Sequence, residues 1–362
     1  MRLLWLTENY PPQRGGMAQS CDRIVDGLRK AGYIIEVIHF TSQKQPMVRV
    51  QQQGGGRTPV YYYESEAHTL NVTWTYLKTL GDFDYIVAFG GYLSMIGAPI
   101  FKKWLGIELI TFLRGNDFDT SIFTPRKRDT LEYALKESRK VFSVSREKAW
   151  KVNQWLPEVE VHFVPNGIAI SDWDPAPGEL DFARRWKQEL SAQLTLGFMG
   201  QLKAKKGIDF FLEAFSKTNL KEQFHFLFIG DIDPDLLEDL THNEIHFTHM
   251  AFLDRYELMK HYLCCDAVMI PSFYEGMPNV MLEAGALGIP VIASAVDGMK
   301  DLLEHNKDGL LFKAGDLDAC RRVLYDFAAH EFREEMGKAL QQKILNQYTS
   351  EHETEEYIKH LQ

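Results

Sequence analysis

The sequence predicts an α/β protein made of two doubly wound domains. Three observations carry this. The chain has 362 residues, more than one hydrophobic core comfortably serves. Short, continuously apolar runs alternate with amphipathic helical stretches, and the alternation occurs twice. A stretch rich in proline and glycine, Asp174-Pro175-Ala176-Pro177-Gly178, separates the two series.

In the first series the expected strands are 3–7 (LLWLT), 33–40 (YIIEVIHF), 85–90 (YIVAFG), 108–113 (ELITFL), 140–145 (KVFSVS) and 159–165 (VEVHFVP). Helical periodicity marks 20–32, with Gly32 as its stop, and 128–138. The second series has strands at 194–200, 225–231, 245–250, 266–272 and 290–294. Strands that are apolar at every position, not at every second one, are buried on both faces, which implies parallel sheets covered by helices. The boundaries expected are a first domain over 1–168, a linker over 169–192, a second domain over 193–345 and a last helical segment over 346–362 that returns to the first domain. QQQGGG at 51–56 reads as a mobile loop, either a plain surface loop or a flap over a binding site.

Composition excludes several classes. The formal net charge of −10 argues against nucleic acid as a partner. No apolar stretch reaches the roughly 18–20 residues of a membrane span, and the start does not read as a signal peptide, so a cytoplasmic enzyme is expected. Cys21, Cys264, Cys265 and Cys320 lack paired C-x-x-C spacing and are expected as free thiols. The D-x-D triplet recurs along this acidic chain, at 82–84, 117–119, 172–174, 231–233, 233–235 and 316–318, too often to mark a metal site, and no required metal is expected.

The informative stretch is EGMPNVMLE, residues 275–283. It follows the strand DAVMIPS, and Pro278 suits the first turn of a helix. The amides of Asn279, Val280 and Met281 would then point out of the helix start and form an anion site at the carboxyl end of a parallel strand. A carboxylate repels phosphate and accepts from hydroxyls. Glu275 on one side and Glu283 on the other therefore suggest a sugar and a ribose flanking a diphosphate, which describes a nucleoside-diphosphate sugar.

PSFYEGMPNVMLEAGALGIPVIAS resembles the E-x7-E signature of family-4 glycosyltransferases. VPNGI (164–168), LGFMGQLKAKKGIDFFLEAF (196–215), DGLLFKAGD (308–316), QYTSEHETEEYIKHL (347–361) and NYPPQRGGMAQ (9–19) resemble other family segments in the family's order. The resemblance implies the GT-B fold: two Rossmann-like domains facing a central cleft, the first binding the acceptor and the second the nucleotide sugar. It implies a retaining, metal-independent transfer from an NDP-sugar, UDP- or GDP-linked, to a glycan, lipid-linked or small-molecule acceptor. Glu283 would hold the ribose and Glu275 would face the donor sugar. Gly276, Met277, Pro278, Asn279 and Val280 would line sugar and phosphate, and Lys206 would contact the diphosphate. Gly15 and Gly16 would let backbone approach the donor, and the base would stack near Gly230, Ala251 and Phe252. Polysaccharide synthesis is the process implied.

Two positions depart from the pattern. Gln201 stands where the family has a phosphate-binding Arg, leaving Lys203 or Lys205 to substitute. Arg114, in TFLRGNDFD, replaces a His. It cannot act as a base, but it could clamp phosphate or an anionic acceptor, with Asp117 beside it either orienting an acceptor hydroxyl or capping its own turn. These departures keep a non-catalytic nucleotide-sugar-binding protein open as the rival, with an epimerase or phosphorylase on the same fold behind it. The basic clusters Arg126-Lys127-Arg128 and Arg139-Lys140 read as solvated faces or as contacts to a phosphorylated acceptor or to an anionic membrane, a peripheral contact at its inner face.

Overall fold

A computed structural model describes residues 1–190, 193–329 and 331–362. The chain divides into unit 1, Met1–Asn166 with Ser350–Gln362, and unit 2, Gly167–Thr349.

Among the described residues unit 1 holds an eight-stranded sheet of β1 (Arg2–Thr7), β2 (Ile34–Thr41), β3 (Val50–Gln52), β4 (Gly55–Tyr61), β5 (Tyr85–Phe89), β6 (Glu108–Leu113), β7 (Ser138–Ser143) and β8 (Val161–Phe163). The order is β3-β4-β2-β1-β5-β6-β7-β8. Every pairing is parallel except β3 with β4. The crossovers are α1 (Gly16–Lys30), α2 (Glu66–Leu77), α3 (Tyr92–Leu105), α4 (Asn116–Asp119), α5 (Pro125–Glu137) and α6 (Arg146–Trp155). Two apolar clusters cover the sheet. One runs from Leu4 and Leu6 to Phe101 and Leu131; the other is built on Trp5, whose ring lies 5.6 Å from Phe89 and 5.0 Å from Phe112.

Unit 2 holds six parallel strands in the order β11-β10-β9-β12-β13-β14. They are β9 (Leu194–Met199), β10 (Phe224–Ile229), β11 (Phe247–Met250), β12 (Ala267–Ile270), β13 (Val291–Ser294) and β14 (Gly309–Phe312). Helices α7 (Pro177–Glu189), α8 (Ile208–Ser216), α9 (Pro234–His242), α10 (Arg255–Tyr262), α11 (Asn279–Ala286), α12 (Asp297–Leu302), α13 (Leu317–Ala329) and α14 (Arg333–Gln347) complete it. A phenylalanine cluster, Phe198, Phe211, Phe226 and Phe228, fills the core. The final helix α15 (Ser350–Leu361) packs on α1 in unit 1, where Gly27 lets Thr354 approach: a Cβ there would fall 2.2 Å from Thr354 Oγ1.

Several sequence expectations change. Residues 51–56 form the β3–β4 hairpin, not a mobile loop, because Gly55 packs so tightly on β2 that a Cβ would lie 2.1 Å from the Ile35 carbonyl oxygen. Residues 169–190 are part of unit 2: a 3-10 turn at Ile170–Trp173 and then α7, which packs on α10; positions 191 and 192 of the expected linker lie outside the described residues. Chain 346–349 stays with unit 2, where the Ile168 amide donates to the Tyr348 carbonyl at 2.9 Å. The first helix begins at Gly16, four residues early, and β4 and β14 are additional strands. Lys140 lies within β7, and its ammonium donates to the His360 carbonyl of α15, so Arg139-Lys140 is not a free basic face.

Candidate active site

In unit 2 the strand order turns at β9, which has β10 on one side and β12 on the other. Loops leaving the carboxyl ends of such a pair diverge and open a crevice. Here they are Gly200–Gly207 after β9 and Pro271–Pro278 after β12. Backbone contacts lock them together. Gly207 has φ 69°, and a Cβ on it would lie 2.1 Å from the Pro271 carbonyl oxygen, so only glycine fits. The Phe273 amide donates to the Lys205 carbonyl at 3.0 Å.

This clamp delivers two lysines to one carboxylate. Lys206 Nζ lies 2.5 Å from Glu275 Oε1, and Lys205 Nζ lies 3.7 Å from the same oxygen. Lys205 also sits 5.5 Å above the Tyr274 ring. Ser272 Oγ donates to Glu275 Oε1 at 3.4 Å. The Glu275 amide donates to Asp297 Oδ2 at 3.3 Å, and the Gly298 amide to the Gly276 carbonyl at 2.9 Å. Met277 leans on Gly298, where a Cβ would come within 2.9 Å. The loop is thus rigid, with Glu275 and both ammoniums only partly buried.

Pro278 precedes α11 as its N-cap residue, one place earlier than expected, because the Met281 amide already donates to the Pro278 carbonyl at 3.1 Å. Of the three amides expected to point outward, that of Met281 is therefore taken up in the first turn. Asn279 and Val280 open the helix.

Glu283 lies on α11 with only 9% of its surface exposed. Its Oε2 accepts from the Tyr262 hydroxyl at 2.6 Å. Tyr262, at the end of α10, is fully buried, and burial together with the Glu283 charge pushes its hydroxyl well above the ordinary tyrosine range. It stays a donor at neutral pH, fixing one carboxylate oxygen of Glu283. Trp173 packs edge-on against Tyr262 at 5.6 Å, and Asp172 of the same 3-10 turn holds Arg255 of α10. Neither Tyr262 nor Trp173 belongs to a local sequence motif that would mark it.

Gly230 follows β10 with φ 128°, and a Cβ there would lie 1.9 Å from the Gly200 carbonyl oxygen. Its amide donates to the Met250 carbonyl at 2.9 Å, which brings it beside Ala251 and Phe252; Phe252 is 43% exposed. Gln201 is exposed.

Unit 1 is different. Gly15, with φ 122°, caps α1, and Gly16 begins it, leaving the helix start without an acid in its first turn. Arg114 is buried, not turned to a ligand. Its guanidinium donates to the Tyr357 hydroxyl at 2.8 Å and to Asn166 Oδ1, lies 3.8 Å from Glu353, and rests 5.4 Å from the Phe89 ring. This corrects the expected phosphate clamp: Arg114 ties α15 and the end of the first domain to the sheet. Asp117 accepts from the amides of Arg114 at 2.7 Å, Gly115 at 2.6 Å and Phe118 at 3.1 Å. It caps its own turn, and burial raises its carboxyl pKa against those amides. Glu8 caps the start of α3 in the same way, its carboxyl raised by burial. No group of three or more His, Cys, Asp or Glu able to hold a metal ion occurs among the described residues, and no described helix is long and apolar enough to cross a membrane.

Both units resemble known proteins. The profile described as Glycosyltransferase Family 4 matches residues 14–172, and that described as Glycosyl transferases group 1 matches residues 193–328. An uncharacterized glycosyltransferase of Methanocaldococcus jannaschii is 25% identical over 92% of this chain and 91% of its own. The UDP-Gal:alpha-D-GlcNAc-diphosphoundecaprenol alpha-1,3-galactosyltransferase of Escherichia coli is 26% identical over 53% of this chain, which spans about half, 51%, of that relative. Among solved structures, sucrose-phosphate synthase of Thermosynechococcus elongatus superposes with a TM-score of 0.84 at 16% identity, covering 99% of this chain and 98% of that one. The Anabaena protein HepE, in complex with UDP and glucose, superposes at 0.81 and 16% identity, covering 100% and 99%. At such identity the superpositions speak for fold. Two parallel-sheet α/β units, matched one by one to the two family profiles, place the chain in the family-4, group-1 glycosyltransferases of GT-B fold.

Proposed function

We propose that the protein transfers a sugar from a nucleoside-diphosphate sugar to an acceptor with retention of anomeric configuration, using unit 2 as the donor site. The single observation that carries this reading is Lys206 on Glu275 beside the start of α11. A cation held by a partly exposed carboxylate is poised to exchange that partner for a diphosphate. The carboxylate it releases then faces the sugar hydroxyls. Glu283, oriented by the Tyr262 hydroxyl, is the acceptor for a ribose. Lys205 fits the place of the family arginine that Gln201 lacks, since it reaches the same carboxylate. Gly230, Ala251 and Phe252 form the flank for the base.

The task of such a site is to stabilise the departing diphosphate, and fixed cations and amides do so without reorganising. Transfer needs no metal in this reading, because the ammoniums supply the positive charge. HepE is solved with UDP, and the E. coli relative acts on a diphosphoundecaprenol-linked acceptor by its name; a UDP-sugar and a lipid-linked acceptor are accordingly the first substrates to try. A peripheral membrane contact goes with that acceptor. Family membership disfavours the non-catalytic rival.

The test is a transfer assay in EDTA over a panel of UDP- and GDP-sugars with glycan and lipid-linked acceptors, the product anomer read by NMR. Glu275→Ala should lower turnover at least about a hundredfold. A variant as fast as the wild type would remove Glu275 from the reaction, and an inverted product would remove retention.

A further inference from the structure

Among the described residues three that are not glycine have positive φ: Glu244, Asp297 and Asn306. Glu244 and Asn306 are exposed turn residues, the ordinary place for such a conformation. Asp297 is different. It is 3% exposed, has φ 40°, and opens α12 behind the loop that carries Glu275. Glycine would take this conformation without the Cβ penalty, so an aspartate here keeps a strain that its side chain must offset.

The side chain reaches that loop. An acid in a first turn gains from the helix dipole, but this gain needs neither burial nor positive φ. Asp297 Oδ2 accepts from the Glu275 amide at 3.3 Å. Two neighbours act with it. The Ser294 hydroxyl donates to the Ser272 carbonyl, and the Gly298 amide donates to the Gly276 carbonyl at 2.9 Å. A Cβ at 298 would lie 2.4 Å from that Gly276 oxygen, so the two segments are in backbone contact. Segment 294–298 thus holds the main chain of loop 272–276 at three points. The hold matters most once a donor is bound. Glu275 is also held by Lys206 at 2.5 Å and Lys205 at 3.7 Å. A diphosphate would draw both ammoniums away. The direction of the carboxylate then depends on how firmly the main chain beneath it is fixed.

We propose that Asp297 is a positioning residue of the donor site. Bonded to the Glu275 amide, it fixes the direction in which the Glu275 side chain leaves the loop, and the left-handed strain in its own backbone is retained for that task. The inference rests on the donor-site reading above and gives Asp297 no contact with the sugar. What Asp297 supplies is the aim of a carboxylate, not the strength of nucleotide binding.

The experiment compares Asp297→Gly and Asp297→Asn with the wild type, using the donor and acceptor that give product in the panel above, with thermal unfolding and titration of UDP or GDP, whichever the donor carries. Glycine relieves the strain and deletes the acceptor. Its melting temperature should equal or exceed that of the wild type, its nucleotide Kd should stay within about twofold, and its kcat should fall about tenfold to a hundredfold. Asparagine tolerates positive φ and keeps a side-chain oxygen, so it should recover most of the kcat. In a Glu275→Ala background Asp297→Gly should lower kcat no further, because the group it positions is gone. A wild-type kcat in Asp297→Gly, a fall that asparagine does not rescue, or a loss that persists in full beside Glu275→Ala would overturn the proposal. A lower melting temperature with nucleotide binding and kcat lost together would make Asp297 a purely structural residue. No product from the wild type with any pair would be failure of the donor reading itself, and the proposal would fall with it.

Discussion

Lys206 Nζ stands 2.5 Å from Glu275 Oε1 in unit 2, joining a lysine from the loop after β9 to a glutamate from the loop after β12. The pair is only partly buried, with side-chain exposures of 20% and 11%. It therefore reads as a charge pair held ready for exchange, not as a structural bridge. Lys206→Met should weaken binding of a nucleoside diphosphate by about 1.5–3 kcal/mol, or roughly tenfold to a hundredfold. Calorimetric titration of the variant checks this, and an unchanged affinity would assign the pair to structure alone.

In the proposed donor site Lys205 takes the place of the missing arginine. Lys205→Met should weaken the diphosphate by about tenfold, and Gln201→Arg placed in that variant should restore most of the loss. Lys203, which is exposed, should tolerate the same change. If Lys203→Met rather than Lys205→Met lowers affinity, the compensation has been placed on the wrong side chain.

Tyr262 holds Glu283 at 2.6 Å from a fully buried position. Tyr262→Phe keeps the packing against Trp173 and deletes the donor. Freed from its anchor, the carboxylate should lose its aim at a ribose. The apparent donor KM should rise several-fold while kcat changes little, because a ribose contact is made equally in ground and transition states. A fall in kcat at constant KM would contradict this.

Arg114 anchors α15. Arg114→Ala removes the donor to Tyr357 and Asn166 and leaves Glu353 paired with Arg23, at 2.7 Å. A loss of about 3–5 kcal/mol is expected for breaking such a buried charge network. Unfolding should move to lower denaturant, with nucleotide affinity unchanged below the transition. Loss of nucleotide affinity in the folded variant would return Arg114 to the ligand.

His39 gives unit 1 an acid sensitivity. Burial, with the Arg57 guanidinium 2.8 Å from its Nδ1, depresses it to about 4. The unfolded chain takes up this proton near the ordinary histidine range and the folded chain refuses it. The contribution is thus present at neutral pH and lost as pH falls from about 6.5 toward 4, by up to about 3 kcal/mol. His39→Gln should flatten the stability profile over that window, as followed by denaturant titration at several pH values.

What the sequence discloses and what it hides follow one physical line. Strands such as LTLGFM and ELITFL are buried on both faces, so their apolar content announces them without context. GGRTPVY does not, because its strand character comes from pairing with β2 and from the contact of Gly55 on Ile35. Glu275 and Glu283 stand out because a strand exit, a proline and a helix start concentrate the signal in a short stretch, whereas Lys206 is marked only by the resemblance of 196–215 to a family segment. The partners of these groups do not stand out. Tyr262 is 21 residues from Glu283, and Arg114 is 243 residues from Tyr357, so no local pattern records either bond. That is also why Arg114 looked like a ligand group: an arginine in a loop after a strand reads as available until the fold shows what surrounds it.

The most direct test of the account is titration of UDP, GDP, ADP and TDP in EDTA into the wild type and Glu283→Ala. The account predicts saturable binding of one nucleotide without metal, lost in the variant while its thermal unfolding stays cooperative. Absence of binding by every nucleotide in EDTA, or equal binding by the two proteins, would contradict the assignment of unit 2 as the donor site.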